Sequence, residues 1–179
     1  YKNGYHNFEN LLFELSKLSG LKRIRFTSPH PSDMSDGVID VISQNKNICN
    51  YVHLPLQAGS DRILKRMNRN YTRVQFIELA KKIRAAIPNV GISTDIIVGF
   101  PGETDEEFKE TLEVMKEVKF DSAYNFIYSP RKGTKAAEYE DFISENDKKK
   151  RLQDVINLQK LHTLERNKSL IGTFQEVII

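Results

Sequence analysis

The most informative side chain of this sequence is a carboxylate inside an apolar segment. Asp95 lies in the run Val90–Val98, where isoleucine and valine occupy several neighbouring positions. Burying an unpaired carboxylate is costly, so Asp95 requires a partner or a ligand. From the residues alone, an ion pair with an arginine explains it as well as ligand binding does.

Two loops after apolar runs offer further candidates. Gln57 starts Gln-Ala-Gly-Ser, and it could bind a ligand or cap the helix that we expect to begin at Ser60. Gly99 opens Gly-Phe-Pro-Gly-Glu, where glycine permits a sharp turn and a close backbone approach to a ligand. Taken alone, this pattern is more often a tight turn between a strand and a helix.

Other reactive residues have simpler explanations. We expect His30, between two prolines, to lie in a turn, and His53 to be a satisfied, half-buried side chain. The run Lys148–Arg151 is typical of a solvated helix face. One cysteine, Cys49, excludes an internal disulfide or a multi-cysteine metal site, and no phosphate-binding loop or nucleophile–base pair is recognisable.

The elements that position these residues alternate between strands and helices. The predicted strands are Arg23–Thr27, Tyr51–Leu56, Val90–Val98 and Ser122–Tyr128. Helical periodicity fills the gaps between them, and two capping boxes are predicted, Thr72 with Gln75 and Thr104 with Glu107. The spacing indicates parallel strands joined by right-handed crossovers, with the candidate residues at their carboxyl ends. We therefore predict an α/β fold, a sheet or a partial barrel.

The last part of the sequence has a different character. Ser144 is predicted to open a polar helix of about 25 residues that ends at Gly172. Its apolar stripe comprises Leu152, Val155, Leu158, Leu161 and Leu164. The run Phe174–Ile179 then resembles the first strand of an appended domain.

Composition narrows the class of protein. Of 179 residues, 39% are hydrophobic and 28% charged, which favours one folded domain over disorder. The net charge of +3 is too small to indicate a dedicated nucleic-acid-binding protein. No apolar run is long enough for a membrane span. Because the chain starts at Tyr1 and stops within an apolar run, we expect a piece of a longer cytoplasmic protein.

Four motifs, in order along the chain, resemble the radical-SAM methylthiotransferases. They are RIRFTSPHP, YVHLPLQAGSDRILKRMNRNYT, ISTDIIVGFPGETDEEF and FIYSPRKGT. The SPHP turn is most similar to the branch that acts on isopentenyl-adenosine beside the anticodon of tRNA. The resemblance implies a partial TIM-like β/α barrel over residues 1–145 that supplies strands three to six. It also implies a linking helix over 146–171 and the first strand of a truncated TRAM domain over 172–179.

The resemblance also implies which residues bind the cofactor. Gln57 and Arg69 match a pair that approaches the charged methionine and ribose portion of S-adenosylmethionine (SAM). Asp95 matches the acid that accepts hydrogen bonds from the ribose hydroxyls. The other implied contacts are with a polar group of SAM and with its adenine, made by Ser28, Gly99 and Phe126 or Tyr128. Arg131 and Lys132 would contact RNA.

The implied reaction inserts a methylthio group into tRNA by radical chemistry. It requires SAM, two [4Fe–4S] clusters on cysteines expected upstream, a reducing electron donor and the tRNA anticodon loop. This chain alone is expected to be inactive, and to self-associate through the open edge of its first strand. Two alternatives stay open: the same chemistry on threonylcarbamoyl-adenosine or a ribosomal protein, and a cluster-less RNA-binding or scaffolding fragment.

Overall fold

The computed structural model of the chain describes residues 2–3, 6–27 and 30–174. A short antiparallel pair, β1 (Lys2–Asn3) and β2 (His6–Asn7), comes first. The main sheet has three parallel strands in the order β3, β4, β5, which span Tyr51–His53, Gly91–Val98 and Ser122–Ile127. The predicted α/β class and parallel sheet are confirmed. In the described part of the chain the sheet is open.

The described part of the chain contains six α-helices. They are α1 (Phe8–Ser16), α2 (Asp36–Gln44), α3 (Asp61–Arg66), α4 (Arg73–Ala86), α5 (Asp105–Val118) and α6 (Glu145–Ser169). Both predicted capping boxes are present, at the starts of α4 and α5. Helix α6 follows Ser144 and is 25 residues long, as predicted. None of the described helices is both long and apolar enough to cross a membrane.

Helix α2 was not predicted from the sequence. Ser35 caps it by accepting a hydrogen bond from the backbone N–H of Val38 at 3.3 Å. Val38, Ile39 and Ile42 are buried in the core. Their spacing on one helical face was an available signal, although the segment offers only two and a half turns and includes Gly37.

The first predicted strand, Arg23–Thr27, is wrong as a strand. Within the described residues it forms no strand ladder, and its β-bridge is a parallel one from Ile24 to Ile48. The N–H of Ile24 donates to the carbonyl of Asn47 at 2.6 Å, and its carbonyl accepts from the N–H of Cys49 at 2.9 Å. The partner at this point is the turn before β3, since β3 begins only at Tyr51, and so the ladder cannot extend. Self-association through this edge stays a prediction.

The two faces of the sheet differ in character. On one face Val52, Ile92, Ile96 and Val98 are fully buried in the hydrophobic core. Side chains alternate between faces along a strand, so the intervening positions share the other face. Register pairs His53 with Ser93 and Asp95 with Tyr124. The second face therefore carries polar and aromatic residues.

The predicted apolar stripe of α6 is partly wrong. Val155 is buried, but Leu161 and Leu164 are 59% and 50% exposed. The buried line of this helix instead runs through Lys148, Arg151, Val155, Gln159 and His162. Gln159 donates to the carbonyl of Phe120 at 2.8 Å, which explains its inward position. The helix ends at Ser169, and Gly172 follows in the left-handed region at φ 82°. Of the predicted strand 172–179, residues 175–179 lie outside the described residues.

Gly59 is required because α5 approaches its backbone closely. A Cβ at this position would lie 2.5 Å from the backbone nitrogen of Thr111. The N–H of Gly59 also donates to Oγ1 of Thr111 at 2.8 Å. The loop that carries Gln57 is thereby attached directly to α5.

Gly59→Ala should reduce the free energy of unfolding by about 1–3 kcal/mol, because the new methyl group must displace backbone. Gly37→Ala is the matched control. A Cβ there would meet only the carboxylate end of Glu9, which is a flexible side chain, and alanine favours helix α2. Urea denaturation should give a lower midpoint for Gly59→Ala and an equal or higher one for Gly37→Ala. Equal midpoints for the two variants would contradict the close packing of Gly59.

Candidate functional site

A chain of hydrogen bonds crosses the face of the sheet that carries the polar and aromatic residues, which is called the open face below. This chain ends at Asp95. Oδ2 of Asp95 lies 3.2 Å from Nε2 of His53. Nδ1 of His53 lies 2.8 Å from Oγ of Ser93, which in turn lies 2.5 Å from the hydroxyl of Tyr51. His53 is buried, whereas the Asp95 side chain is 27% exposed. The partner of Asp95 is thus a histidine and not the arginine that the sequence left open.

Aromatic rings line the same face beside Asp95. Tyr124 is the cross-strand neighbour of Asp95, and its ring contacts that of His53 edge-on at 5.9 Å. Phe126, two residues further along β5, pairs with Ile97 and is 51% exposed; Tyr124 is 57% exposed. A face with one partly exposed carboxylate and two accessible rings suits a ligand with hydroxyl groups and a flat ring.

Gln57 is held beside Asp95 by backbone hydrogen bonds. Its N–H donates to the carbonyl of Asp95 at 2.8 Å, and its carbonyl accepts from the N–H of Ile97 at 2.9 Å. Its φ of 67° lies in the left-handed region, which is unfavourable for a residue with a Cβ. Such strain persists only where surrounding contacts enforce it, and it is concentrated at functional sites. The structure therefore places the backbone of Gln57 beside Asp95, in a parallel bridge with Ile96 beyond the end of β3.

Arg69 is attached to the same loop through its neighbour Tyr71. The Tyr71 hydroxyl hydrogen-bonds with the carbonyls of Pro55 and Leu56, at 3.0 Å each, directly before Gln57. Burial raises the pKa of Tyr71 to about 12, although the nearby Arg69 charge lowers it. Nε of Arg69 is buried and has no hydrogen-bond partner among the residues that the structure describes. Arg69 therefore has an unused donor near the loop of Gln57.

Gly99 lies in a tight turn between β4 and α5, as the pattern alone predicts, and it also approaches α6 closely. Its φ is 69°, and a Cβ would lie 2.6 Å from Cγ of Lys148 on α6. Its N–H donates to Oε2 of Glu103 at 2.8 Å. The Gly-Phe-Pro-Gly-Glu segment is thus a turn closed by its own glutamate. Contact of Gly99 with an adenine stays a prediction.

Glu103 is a buried carboxylate paired with Arg151 of α6. Nη1 of Arg151 donates to Oε2 of Glu103 at 2.8 Å, and Nη2 donates to Asp105 at 2.8 Å. The side chains of Glu103 and Arg151 are only 1% and 8% exposed. Burial raises the pKa of Glu103, opposed by the hydrogen bond from Gly99 and the Arg151 charge. This pair connects the loop after β4 to α6.

The predicted solvated face at Lys148–Arg151 is therefore wrong for its first and last residues. Lys148 is buried and pairs with Asp141 at 2.7 Å and Glu145 at 2.8 Å, which raise its pKa. Lys149 and Lys150 are exposed, as predicted. Residues three apart on a helix share a face, so the first and last cations of the run face the sheet together.

Ser60 lies where the predicted helix begins, and it connects the Gln57 loop to α5. It precedes α3, but its side chain makes no capping hydrogen bond; its hydroxyl donates to Glu107 at 3.1 Å. Glu107 also accepts two hydrogen bonds from Arg62 at 2.6 Å, and these hydrogen bonds lower its pKa to about 2. The Gln57 loop is thereby tied to the start of α5.

The remaining predicted site residues lie in loops. Ser28 is outside the described residues. Arg131 and Lys132 are exposed in the turn after β5, at the carboxyl end of the sheet, and neither forms an ion pair with a described residue. Among the described residues no group of three or more potential metal ligands is present, and Cys49 is an isolated free thiol.

Sequence reasoning missed four members of this face: Tyr51, His53, Ser93 and Tyr124. His53 was assigned a merely structural role, and the prediction that it is satisfied is confirmed. The available signal was the two-residue period of strands. Counting back from Asp95 gives Ser93, and polar alternation in β3 gives Tyr51 and His53.

Comparison with solved structures agrees with this arrangement. Coproporphyrinogen III oxidase (HemN) from Escherichia coli, described as a radical SAM enzyme, superimposes with a TM-score of 0.61 over 74% of this chain and 31% of its own. Its sequence identity is 22%, so the similarity concerns the fold. The fold and the position of the polar residues at the strand ends define a parallel β/α domain of this type.

Sequence comparisons then give the family. The family model described as "Radical SAM superfamily" matches residues 2–115, and the chain belongs to this superfamily. Proteins named tRNA-2-methylthio-N(6)-dimethylallyladenosine synthase are 48% identical in Pelotomaculum thermopropionicum and in Carboxydothermus hydrogenoformans, over 97% and 96% of this chain. The one in Desulforamulus reducens is 46% identical over 100% of the chain. In all three, the chain spans 39% of the relative's length.

Removal of Arg151 should be strongly destabilising, because it leaves the Glu103 carboxylate buried and unpaired. Arg151→Met should lower the free energy of unfolding by about 3–5 kcal/mol. Lys150→Met is the matched control, an exposed cation one residue earlier on the same helix, and should change it by less than about 0.5 kcal/mol. Denaturant unfolding measures both. If Arg151→Met and Lys150→Met changed the free energy of unfolding by similarly small amounts, the buried Glu103–Arg151 pair would not anchor α6.

Proposed function

We propose that this chain is part of a tRNA methylthiotransferase that inserts a methylthio group into isopentenyl-adenosine next to the anticodon. The observation that carries this proposal is the 45–48% identity to proteins of that printed name over nearly the whole chain. The identity extends well beyond the radical-SAM match, which ends at residue 115. Because the chain spans 39% of those relatives, the activity belongs to a longer protein.

The residues on the open face fit SAM. The unpaired oxygen of Asp95 would accept hydrogen bonds from the ribose hydroxyls, and a ring such as Phe126 would lie against the adenine. Gln57 and the unused Nε donor of Arg69 would approach the methionine carboxylate, which an arginine binds well as a fork. Ser28 and Gly99 would complete the contacts. When bound, SAM supplies the methyl group and the reactive carbon of radical chemistry.

The residues of this chain do not fit a [4Fe–4S] cluster. Cluster ligands are cysteine thiolates, and the sequence has one cysteine. We therefore assign both clusters to cysteines of the longer protein that precede this segment. The role of this chain is to hold SAM and to exclude water from it.

The exposed cations after β5 suit contact with RNA. Arg131 and Lys132 lie at the carboxyl end of the sheet, on the side where the bound cofactor would react, and phosphate contacts position a nucleic acid without reading its sequence. We further propose that 146–171 links the barrel domain to a TRAM domain beginning at 172–179. Such an enzyme acts on tRNA in the cytoplasm and requires a reducing electron donor.

The test is anaerobic reconstitution of the full-length protein with its clusters. Wild-type protein given SAM, reductant and isopentenyl-adenosine-containing tRNA should form the methylthio nucleoside, detected by mass spectrometry of digested tRNA. Asp95→Ala should retain the iron content and cluster absorbance, yet lose 5′-deoxyadenosine formation by at least about 100-fold, because the ribose loses its acceptor.

Lys46→Ala serves as a control for the substitution itself, since Lys46 lies in the turn before β3, away from the open face. It should behave as the wild type. A wild-type enzyme that cleaves SAM but modifies another substrate would contradict the tRNA assignment. Undiminished 5′-deoxyadenosine from Asp95→Ala would instead remove Asp95 from the SAM site.

A further inference from the structure

We propose that His53 is a positioning residue that holds Asp95 for the bound ligand, supported in turn by Ser93 and Tyr51. This inference rests on the proposed function, since the ligand is the SAM ribose. It assigns a role to three residues that the four strand-end motifs left unexplained. The basis is the continuous line of contacts from Tyr51 to Asp95.

The direction of each hydrogen bond follows from the chemistry of the groups. An ionised carboxylate can only accept, so Nε2 of His53 carries the proton and donates to Oδ2 of Asp95. In the neutral ring Nδ1 is then an acceptor, which obliges the hydroxyl of Ser93 to donate to it. The oxygen of Ser93 is left to accept from the hydroxyl of Tyr51. One set of donors satisfies the whole line.

This arrangement uses one oxygen of Asp95 and leaves the other for a ligand. Oδ1 accepts no hydrogen bond from any residue that the structure describes, and the carboxylate is 27% exposed on the open face. The imidazole itself is buried, with its ring against Tyr124. His53 therefore holds the carboxylate of Asp95 through Oδ2, on the side away from the ligand, and does not contact the ligand itself.

The far end of the line is also held in place. The guanidinium carbon of Arg25 lies 4.0 Å from the ring centroid of Tyr51, a cation–π contact that restrains this ring. Tyr51 and Ser93 act only through His53, so the effect of substituting them should diminish with distance from Asp95. A purely structural cluster would not have this order.

The test compares two amides at position 53 in the full-length protein with reconstituted clusters, using equilibrium binding of SAM. Glutamine places its amide nitrogen about where Nε2 lies and can still donate to Asp95. Asparagine is shorter and cannot. His53→Asn should weaken SAM binding about tenfold, a change of about 1.4 kcal/mol, and His53→Gln by no more than about threefold.

A double-mutant cycle separates positioning from general stability. In an Asp95→Ala background, His53→Asn should have no further effect on SAM affinity, because it acts through the missing carboxylate. Ser93→Ala, a milder change, should weaken binding about threefold in the wild type and not at all in that background. Thermal unfolding of each variant identifies any that fail to fold, and Ser93→Ala then carries the test.

Each other outcome overturns the proposal. Wild-type affinity in His53→Asn, equal losses with and without Asp95, or equal weakening by asparagine and glutamine would exclude the positioning role alone. A wild-type protein with intact clusters that binds no SAM would contradict the proposed function itself, and with it the ligand assumed here.

Discussion

The parallel ladder of β3, β4 and β5 is the constraint on which the rest of the structure depends. Its register sets His53 beside Ser93 and Asp95 beside Tyr124. A slip of one residue would exchange the two faces, exposing the core isoleucines and burying the carboxylate. Because the apolar face of β4 packs at almost zero exposure, that exchange is prohibitively costly. The core thus fixes the position of the polar face.

The loops at the carboxyl ends are held by contacts with the helices. Gly59 and Ser60 fasten the Gln57 loop to α5, through Thr111 and Glu107. The loop after β4 is fastened to α6 by the buried Glu103–Arg151 pair. The two loops that would contact the proposed ligand are therefore anchored to different helices, which would give the candidate site a preformed shape.

What the sequence could predict was local. The two capping boxes, the length of α6 and the strand β4 depend on neighbouring residues, and all three were predicted correctly. The errors involve distant partners. Lys148 and Arg151 read as solvated cations because their acids, Asp141 and Glu103, pair with them only in the fold. Arg23–Thr27 has the composition of a strand, but the β-bridge of this segment within the described residues is that of Ile24 to Ile48.

The same distinction between local features and distant partners applies to the residues of the candidate site. Asp95 stood out because a charge among isoleucines is unusual, and Gln57 because it follows an apolar run. Their proximity, and the left-handed backbone of Gln57, required the structure. His53 could not be distinguished from an ordinary half-buried histidine, since its importance depends on the cross-strand register. For Gly99 the tight turn that the pattern favours is confirmed, but the hydrogen bond from its N–H to Glu103 required the structure.

A crystal structure of the full-length protein with its clusters and SAM would test the proposed SAM site on the open face most directly. The account predicts that the ribose hydroxyls lie about 3 Å from the free oxygen of Asp95, a hydrogen-bonding distance, with the Gln57 loop lining the same cavity. Cofactor density on the helical side of the sheet, or beyond the reach of Asp95, would contradict it.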